Sequence, residues 1–488
     1  MRALTAACIA AFLCFASFLL RANAATVDAT PVFGAAGSLA VDALVDDFYA
    51  HGAWRACDDA GCSPLAGDWG ADSATDDLYL RWRSTRSARI AGMMQALAAA
   101  APAYAQPCDG SRRCNAWSDT AAWDAVAAMR EFEVTGDPQA ETKAEAALRF
   151  IDTSRAFDGG ACPELPYQQP APTASHVKTL ETTANQIKAL LLLYRATRDG
   201  DDLQRAQSAY DAVRHYFFDP GSGLYTVHVV DDGTACVRRP NGYFASVNGL
   251  MIWNGLELSR ALDDPEYRRQ ALATAHAVDT ELSDDRGIFA DVGGENDVVE
   301  PLVEAMERLA ARDDGDFARA WIVRNARAAL QSRDADGSFG RFFDGPPQGH
   351  ASLWQSNGAV ALEIAAAALT PGIPVAAEDA WSASGVTRFD VTSIPATLTV
   401  DGAAFALIGT IGPGYEGDHI HVTIDGRPLT DRTGLWQNPS MPSERAVLFA
   451  WAWKRSGRHV ITLSTDRDAP PGASLALQGE VVTAPTPH

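Results

Sequence analysis

The chain has 488 residues, 21% of them charged, and a formal net charge of −22. An acidic surface repels phosphate backbones and acidic polysaccharides, so nucleic acid is excluded as a natural partner and a neutral glycan suits the balance better. The length is enough for one large core and a smaller second domain.

Residues 1–24 read as a secretory signal peptide. Arg2 gives a short basic start, an apolar stretch runs from Leu4 to Leu20, and Ala22-Asn23-Ala24 is a small-x-small cleavage site. No cysteine stands in a lipobox there, and no later segment is long and apolar enough to span a bilayer. The expected location is periplasmic or extracellular, without stable membrane insertion. Loss of Arg2 and Arg21 takes the charge from −22 to −24. Cys8 and Cys14 leave with the signal. Cys57, Cys62, Cys108, Cys114, Cys162 and Cys236 remain, an even number in an exported chain, which suggests disulfides. Local pairing joins Cys57 to Cys62, Cys108 to Cys114 and Cys162 to Cys236, one of several possible connectivities. Their spacing is wider than that of structural zinc sites.

Residues 25–372 carry helical periodicity. Leu78, Trp82, Ile90, Met94 and Leu97 fit one long helix opened by Thr75-Asp76-Asp77; another runs from Asp119 to Val134. Asp137-Pro138 and Asp264-Pro265 each pair a capping aspartate with a first-turn proline. Further helices follow near residues 181–196, 203–217, 247–262, 265–281, 298–311, 317–330 and 354–369. First helices end in Thr135-Gly136-Asp137, Thr197-Arg198-Asp199 or Leu262-Asp263-Asp264, and a partner helix follows at once. Ten or so helices in such pairs suggest a closed ring of hairpins, with Gly159-Gly160 and similar glycine pairs in the longer loops of one rim. Residues 377–488 change to short β-branched and aromatic runs separated by turns such as Asp425-Gly426, which reads as a small antiparallel β-sandwich. The expected fold class is thus mainly α, a ring of helical hairpins followed by a β-sandwich accessory domain. That domain would stabilise the ring, or bind carbohydrate through Trp436, Trp451 or Trp453.

The chemistry concentrates at Trp117-Ser118-Asp119-Thr120-Ala121-Ala122-Trp123-Asp124. Carboxylates supply acid, base or nucleophile, and indoles stack on sugar rings. Asp119 at a helix start would be held as an anion, although an N-cap has the same composition. Asp124 lies about 140° around the helix from it. Glu181 opens another helix, where it also complements the dipole. Trp117, Trp123, Gly159, Gly160, Asn248 and Trp253 are the candidate substrate-binding residues. Asp76-Asp77 reads as a cap, and Glu300 and Glu304, one turn apart, as a solvated face. No metal-ligand spacing or cofactor fingerprint occurs, so neither a metal nor a cofactor is expected.

The segment from Trp117 to Asp137 resembles the signature of glycoside hydrolase family 76. Gly159-Gly160, Lys178, the helix end Leu193-Tyr194-Arg195-Ala196-Thr197 and Ser246-Val247-Asn248-Gly249 are similar as well. The resemblance covers roughly residues 75–370 and implies an (α/α)6 toroid; typical members are retaining endo-α-1,6-mannanases. The family pattern has two consecutive aspartates, a nucleophile and an acid/base. Spaced from Trp123 and Thr135, the first falls on Asp119 and the second on Thr120, which cannot act as a carboxylic acid. The reading is an exported glycosidase cleaving a neutral, α-mannan-like polysaccharide or oligosaccharide through Asp119 and Asp124 or Glu181. The alternatives are a polysaccharide lyase or sugar epimerase on the same toroid, using His176, Tyr243 or His350, and a catalytically inactive glycan-binding protein.

Overall fold

The computed structural model describes residues 32–57, 65–66, 68–100, 117–153, 160–168, 176–239, 242–290, 298–312, 314–334, 337–347, 352–375, 381, 387–391, 395–411, 420–429, 443–465 and 479–484. The expected signal peptide, Cys62, Cys108, Cys114, Gly159, His350 and Trp436 lie outside the described residues.

Twelve helices are described. They are α1 (Phe33–Phe48), α2 (Asp68–Thr85), α3 (Ala88–Ala100), α4 (Ser118–Thr135), α5 (Pro138–Thr153), α6 (Leu180–Thr197), α7 (Gly200–Tyr216), α8 (Ala245–Leu262), α9 (Pro265–Glu281), α10 (Glu300–Ala310), α11 (Asp316–Ala329) and α12 (Leu353–Leu369). Helices α2, α4, α6, α8, α10 and α12 each contact the next, and α12 returns to α2, so six helices close a ring. Each of the others packs outside one ring member, α3 on α2 through α11 on α10, with α1 on α12. Because inner and outer helices alternate as antiparallel hairpins, all six inner helices start at the same end. This is the expected (α/α)6 toroid.

The sequence explains which helix is inner. In α8 every residue from Ala245 to Leu258 is buried, as a helix packed on all sides requires. In α9 only Tyr267, Ala271, Thr274, Ala275 and Val278 are buried, a single stripe at helical spacing. Caps fix the starts. Asp137 Oδ1 accepts from Gln139 N at 2.9 Å and Asp264 Oδ1 from Glu266 N at 2.9 Å, each ahead of a first-turn proline. Ser352 and Gln355 form a capping box at α12.

One expectation is corrected here. Residues 75–97 are not a single helix. Arg86 adopts a left-handed conformation (φ 55°) between α2 and α3, and the chain reverses there. The apolar periodicity continues across the turn because both helices face the same core, so the break leaves little mark on the pattern.

The C-terminal region is antiparallel β-structure, as expected. Among the described residues its six strands form one continuous sheet, ordered 427–428, 420–424, 443–465, 396–411, 479–484, 387–391. The two long strands pair along most of their length, with a register shift between Ala452 and Gly457. Trp451 and Trp453 are 5% exposed and pack inside the sheet's own apolar cluster, so they cannot serve as sugar platforms by their faces. That cluster also takes in Cys57, Ala290 and Phe342. All three belong to segments that lead into inner helices, so the sheet sits on the rim where those helices start.

Cys162 and Cys236 form a disulfide with Cα atoms 5.9 Å apart, and Cys57 is disulfide-bonded too. Among the described residues no helix is long and apolar enough to cross a membrane.

Candidate active site

The lower part of the ring's axis is filled by a buried charged plug. Arg130 (α4) reaches Glu304 (α10) at 2.7 Å and Asp76 (α2) at 3.4 Å. Lys188 (α6) lies 2.9 Å from Glu304 and 3.2 Å from Asp76. Trp253 (α8) donates its indole N–H to Glu304 at 3.1 Å, and Arg308 adds a contact at 3.2 Å. Glu304, Arg130 and Lys188 have no exposed side-chain surface. Burial alone would raise Glu304, but Arg130, Lys188 and Arg308 outweigh it and hold its carboxyl well below the usual range. Asp77 and Glu300 stand beside these groups without hydrogen-bond partners among the described residues, and burial followed by neighbouring carboxylates raises both well above the usual range. Oxygens of Asp76, Glu300 and Glu304 lie within 4.8 Å of one another, a spacing that fits a cation, yet Lys188 and Arg130 already supply positive charge there. The arrangement is an ion-pair network that ties four inner helices together.

Two expectations are overturned by this plug. Glu300 and Glu304 are not a solvated face, since both are fully buried. Asp76 and Asp77 do not cap a helix; they lie mid-helix in α2.

The mouth lies above, at the starts of the inner helices. Asp119, Glu181 and Ser246 are each the second residue of α4, α6 and α8, three consecutive inner helices. Trp117 precedes α4 and is 39% exposed. Asp119 Oδ1 accepts from Thr120 N at 2.7 Å, and Gln168 Nε2 donates to Asp119 Oδ2 at 3.4 Å. Burial raises the Asp119 carboxyl above its ordinary value, and those hydrogen bonds offset only part of the rise. Ser246 Oγ donates to Glu181 Oε1 at 3.4 Å, while Thr179 caps α6 by accepting from Glu181 N.

The loop that delivers Gln168 is pinned from below. Buried Lys178 donates to Cys162 O at 2.9 Å and Leu165 O at 2.6 Å. Asp231 accepts from Ala161 N at 3.1 Å and Gly233 N at 2.9 Å, and the Cys162–Cys236 bridge joins the same loops. Gln168 O in turn accepts from Ser118 N at 2.9 Å, which fixes the loop to the start of α4. Gly160, at φ 89°, leaves no room for a Cβ against the Asp231 carboxylate, so its place in the pattern is structural.

The predicted residues therefore divide. Trp117, Asp119 and Glu181 gather at the mouth. Asp124 lines a separate cavity with Trp54, Asp72, Met94, Leu97, Glu131 and Lys143, between α2, α3 and α4 and away from the axis. Trp123 and Trp253 are buried in the core, and Trp253 is spent on Glu304. Asn248 is fully buried; its side chain bonds both Tyr225 N (2.9 Å) and Tyr225 O (3.2 Å), clamping the rim to α8. None of these three can face a sugar, because each polar group is already engaged inside the protein or is covered. Gln168 and Ser246 were missed: the folded loop brings Gln168 to Asp119, and the packing of α8 beside α6 brings Ser246 to Glu181. Lys188 carried a visible signal: a lysine inside the otherwise apolar run from Ile187 to Leu193 demands a buried partner.

No protein-family model and no curated protein matches the chain. Solved structures do. An α-1,6-mannanase of glycoside hydrolase family 76 from Salegentibacter sp. HEL1_6 aligns with TM-score 0.61 at 19% identity, covering 69% of this chain and 99% of that one. An inactive variant of the same enzyme, with two aspartates changed to asparagine, was solved in complex with α-1,6-mannotriose and aligns with TM-score 0.60 at 18% identity. A family 76 mannosidase from Bacteroides thetaiotaomicron VPI-5482 aligns with TM-score 0.59 at 14% identity, over 70% of this chain and 98% of that one. The toroid of this chain thus has the fold of the family 76 structures.

Proposed function

We propose that the protein is an exported glycoside hydrolase acting on a neutral, α-mannan-like glycan at the toroid mouth. The observation that carries this reading is the placement of Asp119 and Glu181. They occupy equivalent first-turn positions on adjacent parallel inner helices, beside the exposed indole of Trp117. The similarity in fold to α-1,6-mannanases supports the substrate class.

Asp119, with its carboxyl raised by burial, suits the proton donor, and Glu181 suits the general base that activates water. Axes of packed helices stand about 8–10 Å apart, so equivalent carboxyls on neighbouring helices favour the separation of inverting enzymes, about 6.5–9.5 Å, over that of retaining ones. Asp124 has no part in the reaction.

The test is release of reducing ends from α-1,6-mannan by the mature protein, with the anomeric form of the first product read by NMR. Release with inversion fits the Asp119–Glu181 pair; retention would require a closer carboxylate pair.

A second reading, an inactive glycan-binding protein, is favoured by Thr120, which is buried and carries no acid. Thr120→Asp separates the two. Turnover that appears only in this variant supports the binding protein, and turnover already present in the wild type rejects it.

A further inference from the structure

A cleft of about 180 Å³ lies where the sheet meets the rim of the toroid. Its toroid wall carries Tyr243, Ser283 and Asp284, and its sheet wall carries Arg427, Leu429 and Trp451. Ser283 and Asp284 are 8% and 6% exposed. Ser283 Oγ has no hydrogen-bond partner among the described residues. Asp284 is fully engaged: its Oδ1 accepts from Arg286 N at 2.8 Å and Ile288 N at 3.0 Å, and burial and a hydrogen bond with the Asp344 carboxyl raise it well above the usual range, so it is a fixed part of the cleft wall. A buried hydroxyl without a partner is costly unless something else completes it.

We infer that this cleft is a neutral saccharide subsite for the part of a glycan that extends beyond the mouth. This rests on the mouth reading proposed above. Neighbouring sugar hydroxyls both donate and accept, which matches the Ser283 hydroxyl on one wall and the Arg427 guanidinium on the other. Tyr243 and Leu429 line the same cleft and supply the apolar contact that a sugar ring makes beside its hydroxyls. Glu281, Asp284 and Asp285 around one arginine disfavour an anion. Tyr243 stands three residues before Ser246, the partner of Glu181, so the cleft adjoins the mouth along one short segment.

The experiment uses the full chain carrying Asp119→Asn, titrated calorimetrically with α-1,6-mannotriose, α-1,6-mannohexaose and a panel of other neutral oligosaccharides. The hexaose binds more tightly than the triose. Adding Ser283→Ala or Arg427→Ala lowers hexaose affinity about 2- to 10-fold each, the loss of one hydrogen bond, and leaves triose affinity unchanged. Thermal midpoints stay constant, because Ser283→Ala removes only an orphaned hydroxyl and Arg427 is on the surface. Equal hexaose affinity in parent and both variants overturns the subsite and leaves the mouth reading intact. Failure to bind any neutral oligosaccharide overturns both.

Discussion

At the scale of single residues, the fold separates carboxylates that look alike in the sequence. Asp119 and Asp124 stand five positions apart, yet one reaches the mouth and the other a cavity between α2, α3 and α4. Asp119→Asn and Glu181→Gln are each expected to lower kcat by about 10²–10⁴-fold, the usual contribution of a positioned acid or base. Asp124→Asn is expected to leave kcat within about 2-fold of the wild type. Steady-state kinetics on α-1,6-mannan check all three, and a large loss in Asp124→Asn would place that residue back in the reaction. Asp119 was legible because a carboxylate beside indoles at a helix start is a recognisable pattern. Asn248 and Trp253 misled because an amide or indole on an inner helix has the same composition whether it faces a sugar or the backbone. Only burial, and bonds to Tyr225 and Glu304, decide between those roles. Gln168 could not be found, since a pinned loop brings it 49 positions back to Asp119.

At the scale of elements, stability depends on pairing across inner helices. Lys188 joins α6 to α2 and α10 through Asp76 and Glu304. Lys188→Met leaves buried carboxylates uncompensated and is expected to destabilise the fold by about 3–5 kcal/mol in denaturant unfolding. Asp77 has the opposite sign. Its folded carboxyl is raised above its unfolded value, so between about pH 4 and that raised value the native state binds the extra proton and stability falls as pH rises. Asp77→Asn removes that slope and is expected to raise Tm at neutral and alkaline pH but not near pH 4. A Tm gain that is independent of pH would contradict this assignment. The hairpin order was legible from caps such as Asp264-Pro265. The buried plug was not, because charges one turn apart on a helix usually face solvent, and burial of Glu300 and Glu304 depends on cations from three other helices.

At the scale of the whole molecule, two constraints hold the rim in place. The Cys162–Cys236 bridge closes a loop with a sequence separation of 74 residues, and by loop entropy it contributes roughly 4 kcal/mol. Reduction is therefore expected to lower Tm and to weaken turnover, because the same loops deliver Gln168 to Asp119; unchanged turnover after verified reduction would detach the bridge from the site. The sheet is the second constraint, since Cys57, Ala290 and Phe342 are buried against it. The change from helical to alternating pattern marked this region in the sequence, but not which face of the toroid it covers. The most direct measurement of the central claim is reducing-end release from α-1,6-mannan by the mature wild type, Asp119→Asn, Glu181→Gln and Asp124→Asn side by side. The account predicts release by the wild type and by Asp124→Asn, with none from the other two. Release that survives in Asp119→Asn or Glu181→Gln, or no release from wild type on any neutral glycan, would contradict it.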